Sequence, residues 1–187
     1  YIIKNSKYAT DDYRKKHPMD KERLKESKEK QRDILRYNEL IRNKAVLSRL
    51  YEPTEENIHL CAEYIKQGGI VGMPTETVYG LAANAFDVDA CFKIFDYKGR
   101  PLTDPLIVHV SSIEMAKSII IINKEIEQLF TLLTNKFWPG PLTIVLPANL
   151  DLISTKILAG KDTVGIRFPE HPIANKLIKY SGVPIAA

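Results

Sequence analysis

Residues 51–187 are predicted to form a layered α/β fold. Short apolar runs, such as Ile70-Val71-Gly72-Met73 and Leu106-Ile107-Val108-His109-Val110, alternate with longer amphipathic stretches. Gly and Pro punctuate the junctions, and no segment repeats another.

The first helix of this region follows Pro53-Thr54. It places Ile58, Cys61, Ala62 and Ile65 on one face and closes at Gly68-Gly69. The strand 70–73 comes next and ends at Pro74. In Thr75-Glu76-Thr77-Val78-Tyr79-Gly80-Leu81 the first residue is a good helix cap, so a short helix is expected there. The stretch 89–97 reads as a helix that buries Phe92 and Phe95, and 106–110 as a β-branched strand. Helix is expected from Ser112 to about Asn135, in two pieces around Asn123. Trp138-Pro139-Gly140-Pro141 forces an irregular loop before the strand 142–146. A strand over 163–168, a helix over 171–180 and a strand over 183–187 complete the pattern.

The first 50 residues differ in kind. They hold 15 Lys and Arg against 8 Asp and Glu, a balance of +7, with no Gly and only Pro18. Residues 51–187 hold 12 against 15, a balance of −3, so the chain's net +4 comes from its first segment. From Asp20 to Leu50 the composition suits a long helix with a thin stripe of Leu24, Leu35, Leu40, Ile41 and Leu47. The stripe is sparse before Ile34, which favours disorder there. This basic segment is either a solvated extension or insertion, or an arm that contacts tRNA.

Hydrophobic residues at 44% and charged residues at 27% are ordinary for a soluble globular chain. No run approaches the roughly 20 apolar residues of a membrane span, the longest being Ile119-Ile120-Ile121-Ile122. Cys61 and Cys91 sit in apolar patterns without zinc-type spacing, which excludes a disulfide framework and fits a reducing compartment. The chain opens on Tyr1 and ends within the apolar run Pro184-Ile185-Ala186-Ala187, so a fragment of a longer protein is expected.

Familiar chemical signatures are missing: there is no P-loop, no Gly-x-Gly-x-x-Gly turn, no Gly-x-Ser-x-Gly elbow and no metal-ligand cluster. Four segments nonetheless stand out. The 74–81 segment turns away from a strand end, which aims amides and hydroxyls at a small anion, or merely caps a turn. Lys98-Gly99-Arg100-Pro101 holds two cations one residue apart, as a triphosphate site or as surface charge. His109 stands inside an otherwise apolar strand, either as a core residue or facing a ligand. Arg167, flanked by apolar residues in Thr163-Val164-Gly165-Ile166-Arg167-Phe168-Pro169, requires an anion supplied by the protein or by a substrate.

In order and spacing, these segments resemble the YrdC-like threonylcarbamoyl-adenylate synthase family from about residue 54 to 187. Asp104-Pro105-Leu106, Phe137-Trp138-Pro139-Gly140-Pro141-Leu142-Thr143 and Gly182-Val183-Pro184-Ile185-Ala186-Ala187 extend the match. The resemblance implies a twisted mixed sheet with flanking helices. It also implies a reaction of L-threonine, bicarbonate and ATP, with magnesium accompanying the nucleotide rather than held in a protein cage. The product, threonylcarbamoyl-adenylate, would pass to a transferase complex that modifies tRNA. Carried over by position, Lys98 and Arg100 are the expected catalytic and ATP-binding pair, and Thr143 is a further ATP contact. Thr75, Tyr79, His109 and Arg167 are the expected threonine-binding residues.

By this resemblance 51–187 is the catalytic domain, cut short before the family's Ser-x-Asn element, and 1–50 lies outside the pattern. A cytoplasmic location is expected, with a mitochondrion or plastid-like organelle as alternatives. Two other functions stay open at this level. One is a non-catalytic module of the same fold that binds double-stranded RNA or tRNA by shape and phosphate charge. The other is the carbamoyltransferase domain of hydrogenase maturation, whose accompanying cysteine clusters are absent here.

Overall fold

The computed structural model describes residues 50–187 and, in the segment before them, the single helical residue Arg32. The expectations for residues 1–49 otherwise lie outside the described residues. Residues Ser48–Ala187 make one compact unit.

The chain runs α1 (Glu55–Lys66), β1 (Val71–Met73), β2 (Gly80–Asn84), α2 (Val88–Lys98), β3 (Ile107–His109), α3 (Ile113–Ser118), α4 (Lys124–Phe137), β4 (Ile144–Pro147), β5 (Thr163–Arg167), α5 (Pro172–Ser181) and β6 (Ile185–Ala186). Local chemistry explains most of the helix starts. Thr54, Asp87, Ser112 and Asn123 each cap a helix by accepting from the backbone N–H three residues on. His171 caps α5 through Nδ1, with Pro172 at its first position.

Six strands form one mixed sheet in the order β1-β2-β6-β3-β5-β4. Only β3 and β5 run parallel, with Ile107, Val108 and His109 opposite Gly165, Ile166 and Arg167; the other neighbours are antiparallel. On one side, Ile58, Ala62 and Ile65 of α1 pack with Ala174, Leu177 and Ile178 of α5 over Met73, Ala82 and Ile185. Full burial of a side chain of Ile or Leu size stabilises by roughly 1.5–3 kcal/mol, so this cluster is a main anchor of the sheet. Ala82 and Ala83 point to opposite faces of β2, yet neither is exposed. α2 therefore covers the face that α1 and α5 leave open, and helices flank the sheet on both sides.

One local expectation needs correction. No helix begins at Thr75; residues 74–79 are irregular and lead into β2, a strand the pattern did not announce. Thr75 Oγ1 does accept from the N–H groups of Thr77 and Val78, as a cap would, but β2 then pairs with both β1 and β6. The strand ladder wins over a single capped turn. The two-piece helix at 112–135 is real, but Ile120 leaves it to bridge Ala148, and Asn123 restarts it.

Candidate active site

β3 and β5 deliver two polar side chains to one place. His109 and Arg167 are opposed residues at the ends of parallel strands, so their side chains share a face at the carboxyl edge of the pair. Both are buried, His109 at 5% exposure and Arg167 at 8%. Such burial requires Arg167 to be answered, and the loop between β1 and β2 does so.

Glu76 Oε1 lies 2.8 Å from Arg167 Nη2, and Thr77 Oγ1 accepts from Nη1 and Nη2 at 3.2 Å each. Thr75 holds this loop in shape. Its hydroxyl donates to the Val78 carbonyl at 2.6 Å, and its oxygen accepts the backbone N–H groups of Thr77 and Val78 at 3.3 and 3.1 Å. The Thr75 and Thr77 hydroxyls also lie 3.1 Å apart. Polar capacity remains within the group. Both Glu76 carboxylate oxygens, His109 Nδ1 and Arg167 Nε are buried without a well-formed hydrogen bond, so the Glu76–Arg167 contact is a charge pair rather than an aligned bond.

Electrostatics follow from the geometry. Burial would raise the Glu76 carboxyl, but the Arg167 contact and nearby backbone N–H groups outweigh it and hold the group below its usual range. Burial first, and the Arg167 charge second, lower His109 to about 4, so its imidazole is neutral near pH 7. In an unfolded chain a histidine protonates near 6.5. The stability that depends on a neutral His109 is therefore complete above about pH 6.5 and lost as the pH falls toward 4. Urea unfolding of His109→Gln is expected to show a flatter pH dependence across that window. An unchanged slope would mean that His109 does not stay neutral in the fold.

The remaining expected residues occupy other positions. Lys98 ends α2, and Gly99 follows in a left-handed conformation at φ 58°, which a side chain with a Cβ adopts only under strain. The reversal turns Arg100 back on the loop before β3, where Nη2 donates to the Pro105 carbonyl at 2.9 Å and Nε to that of Asp104 at 3.4 Å. Lys98 stays exposed, and desolvation, then the charge of Arg100, lowers its ammonium. Among the described residues, no hydrogen bond or ion pair links this pair to the Arg167 group.

Thr143 follows the 138–141 loop, where Trp138 Nε1 donates to the Leu142 carbonyl and the ring packs edge-on against Phe130 and Phe168. Its Cγ2 would lie 3.3 Å from a Cβ on Gly165, so the glycine lets it approach β5 two residues before Arg167. Tyr79, at 77% exposure, points into solvent. The structure thus joins Thr75, His109 and Arg167 in one group, packs Thr143 against β5 at Gly165, and leaves Lys98, Arg100 and Tyr79 apart from it.

Sequence reasoning missed Glu76 and Thr77. A usable signal existed: a buried arginine needs a carboxylate, and Glu76 is the only acidic residue between Glu63 and Asp87.

Comparison with known proteins places this geometry among relatives. The family model described as telomere recombination (Sua5_yciO_yrdC) matches residues 63–187. A threonylcarbamoyl-AMP synthase from Pyrococcus abyssi (strain GE5 / Orsay) is 46% identical over 143 residues, covering 76% of this chain and 41% of that protein. Another from Bacillus subtilis (strain 168) is 44% identical over 133 residues, covering 71% and 38%. The crystal structure of P. abyssi Sua5 complexed with L-threonine superposes with a TM-score of 0.68 at 44% identity, over 75% of this chain and 39% of that one. The chain thus spans about two fifths of the length of these relatives.

Proposed function

The chain belongs to the Sua5/YciO/YrdC family, and on that premise we propose that it carries the site for threonylcarbamoyl-adenylate synthesis from L-threonine, bicarbonate and ATP. The observation that carries this reading is the buried arginine at the end of β5, beside a neutral histidine, in a fold shared with a protein described in complex with L-threonine. Arg167 takes the substrate carboxylate, His109 faces the same site with an uncharged ring, and Thr75 bounds it from the 74–79 loop.

The reaction needs no nucleophile from the protein. The threonine amine adds to bicarbonate and water leaves, giving a carbamate. A carbamate oxygen then attacks the α-phosphorus of ATP, and the bond to pyrophosphate breaks. Lys98 and Arg100 neutralise charge on the phosphates as pyrophosphate departs, with Thr143 a further contact to the nucleotide. Magnesium travels with ATP as part of the substrate. The product passes to a transferase complex acting on tRNA, in the cytoplasm; the basic segment 1–50 offers a tRNA contact outside the chemical domain, 51–187. Among the described residues no helix is long and apolar enough to cross a membrane.

The test is pyrophosphate release by the full-length protein. Release is expected only with threonine, bicarbonate and ATP together. An equal rate without threonine overturns the proposal.

A further inference from the structure

We propose that the outer face of α4 is a self-association surface, at which two copies of this chain pair antiparallel about a two-fold axis.

α4 buries little of its length. Only Phe130 and Thr134 of its 14 residues are buried, against five of 11 in α2. Phe130 packs edge-on against Trp138, which marks the side of the helix that faces inward. At about 100° per residue, Glu125, Leu129, Leu132 and Lys136 form one stripe, about 150° round the helix from that side. The two leucines are 57% and 65% exposed, and the charged residues at the ends of the stripe are exposed as well. Ile126 and Leu133, both half-buried, border it on one edge, and Gln128 and Asn135 on the other. A single exposed leucine needs no explanation. Two neighbours set between opposite charges form a surface that a specific partner can match.

The order of the stripe selects that partner. Its spacings are four, three and four, so the positions repeat when read backwards, while the ends carry opposite charge. A second α4 laid antiparallel, centred between Phe130 and Thr131, sets Leu129 against the partner's Leu132. The same register sets Glu125 against the partner's Lys136, and the two-fold axis makes each contact twice. The 4-3-4 spacing keeps the seam on one face of both helices, as in a coiled coil. A parallel copy would instead place Glu125 beside Glu125 and Lys136 beside Lys136, so charge chooses the antiparallel arrangement.

Both charges are available for it. Among the described residues Glu125 has no ion-pair partner, and Lys136 rests over the Phe137 ring at 5.4 Å. Glu127 lies outside the stripe and is already paired with Lys117 at 2.7 Å. A seam of three helical turns is small for a protein interface, so the dimer is weak and forms with rising concentration.

Sedimentation equilibrium of the full-length protein from about 5 to 500 µM tests this, and a monomer–dimer equilibrium is expected within that range. Leu129→Ser and Leu132→Ser should each weaken association at least about tenfold. Their melting temperatures should stay unchanged, because both side chains are exposed in the monomer. Glu125→Lys alone and Lys136→Glu alone should each weaken association about fivefold or more, since each creates two like-charge contacts per dimer. Mixing these two charge variants should restore association, because the heterodimer regains both attractive pairs. Positions 125 and 136 are three turns apart, so that recovery cannot arise within one chain. If a leucine variant does not fold, the charge variants decide. A protein that stays monomeric up to about 500 µM overturns the proposal. Slow alkylation of Leu132→Cys in that monomer, read at the site by mass spectrometry, would assign the face to another segment of the full chain. A dimer indifferent to both leucine substitutions also overturns it, as does a mixture of the charge variants that associates no better than either alone.

Discussion

Replacing Arg167 with Met is expected to destabilise the domain by about 3 kcal/mol, the lower end of the cost of breaking a buried ion pair. The lower end applies because the Glu76 side chain keeps 19% of its exposure. The loss comes mainly from what remains behind, a largely buried carboxylate without its counter-charge. A second change, Glu76→Gln, removes that stranded charge and should recover much of the loss, so the two substitutions are strongly non-additive.

Acid titration gives the same pair a second signature. In the wild type the Glu76 carboxyl lies below its usual range, so its contribution is present above the unfolded value near 4.3 and lost as pH falls through the lower folded value. In Arg167→Met the lowering contacts with Arg167 disappear while burial remains. The carboxyl should then rise from its lowered position, and the stability that the wild type loses on acidification should be smaller in the variant. Urea unfolding at several pH values measures both effects. A cost under about 1 kcal/mol, with full additivity in the double variant, would show that Arg167 and Glu76 are solvated independently.

Alanine at Lys98 or Arg100 is expected to reduce adenylate formation by about 30- to 1,000-fold, equivalent to about 2 to 4 kcal/mol of transition-state stabilisation. The two should differ in stability. Lys98 is exposed and supports nothing in the loop, so its loss should cost under about 0.5 kcal/mol. Arg100 donates to the carbonyls of Asp104 and Pro105, so its replacement should cost about 1 kcal/mol as well as turnover. Lys98→Arg is an informative companion, since a planar fork does not replace a compact ammonium at a fitted site. Steady-state adenylate formation, with thermal melting alongside, separates chemistry from folding. Near-normal turnover in both alanine variants would mean that the pair is ordinary surface charge and that the nucleotide site lies elsewhere.

The helices were legible because their signals are local. Thr54 and Asn123 cap where the pattern placed a start or a break, and the apolar face of α1 follows from the spacing of Ile58, Ala62 and Ile65. β3 and β5 were legible from their apolar, β-branched runs, and Arg167 declared its need for an anion because it stands in one of them. β2 was not legible. Gly80-Leu81-Ala82-Ala83-Asn84 lacks β-branched residues because helices press on both faces of the strand, where small side chains are what fit. The apparent helix cap at Thr75 was misleading for a related reason. The hydroxyl makes the local bonds of a cap, while the chain beyond it is claimed by β1 and β6.

By itself, the sequence determined that an arginine needing an anion and a histidine stand in two apolar strands of a layered α/β sheet, and that a Lys-Gly-Arg turn follows a helix. Only the tertiary structure decided which carboxylate answers Arg167. Glu76 lies far from it along the chain, and the two meet because β3 and β5 are parallel neighbours whose ends the β1–β2 loop crosses. Charge attraction falls off within about 10 Å at ordinary ionic strength, so pairing of this kind follows from strand order and not from spacing in the sequence.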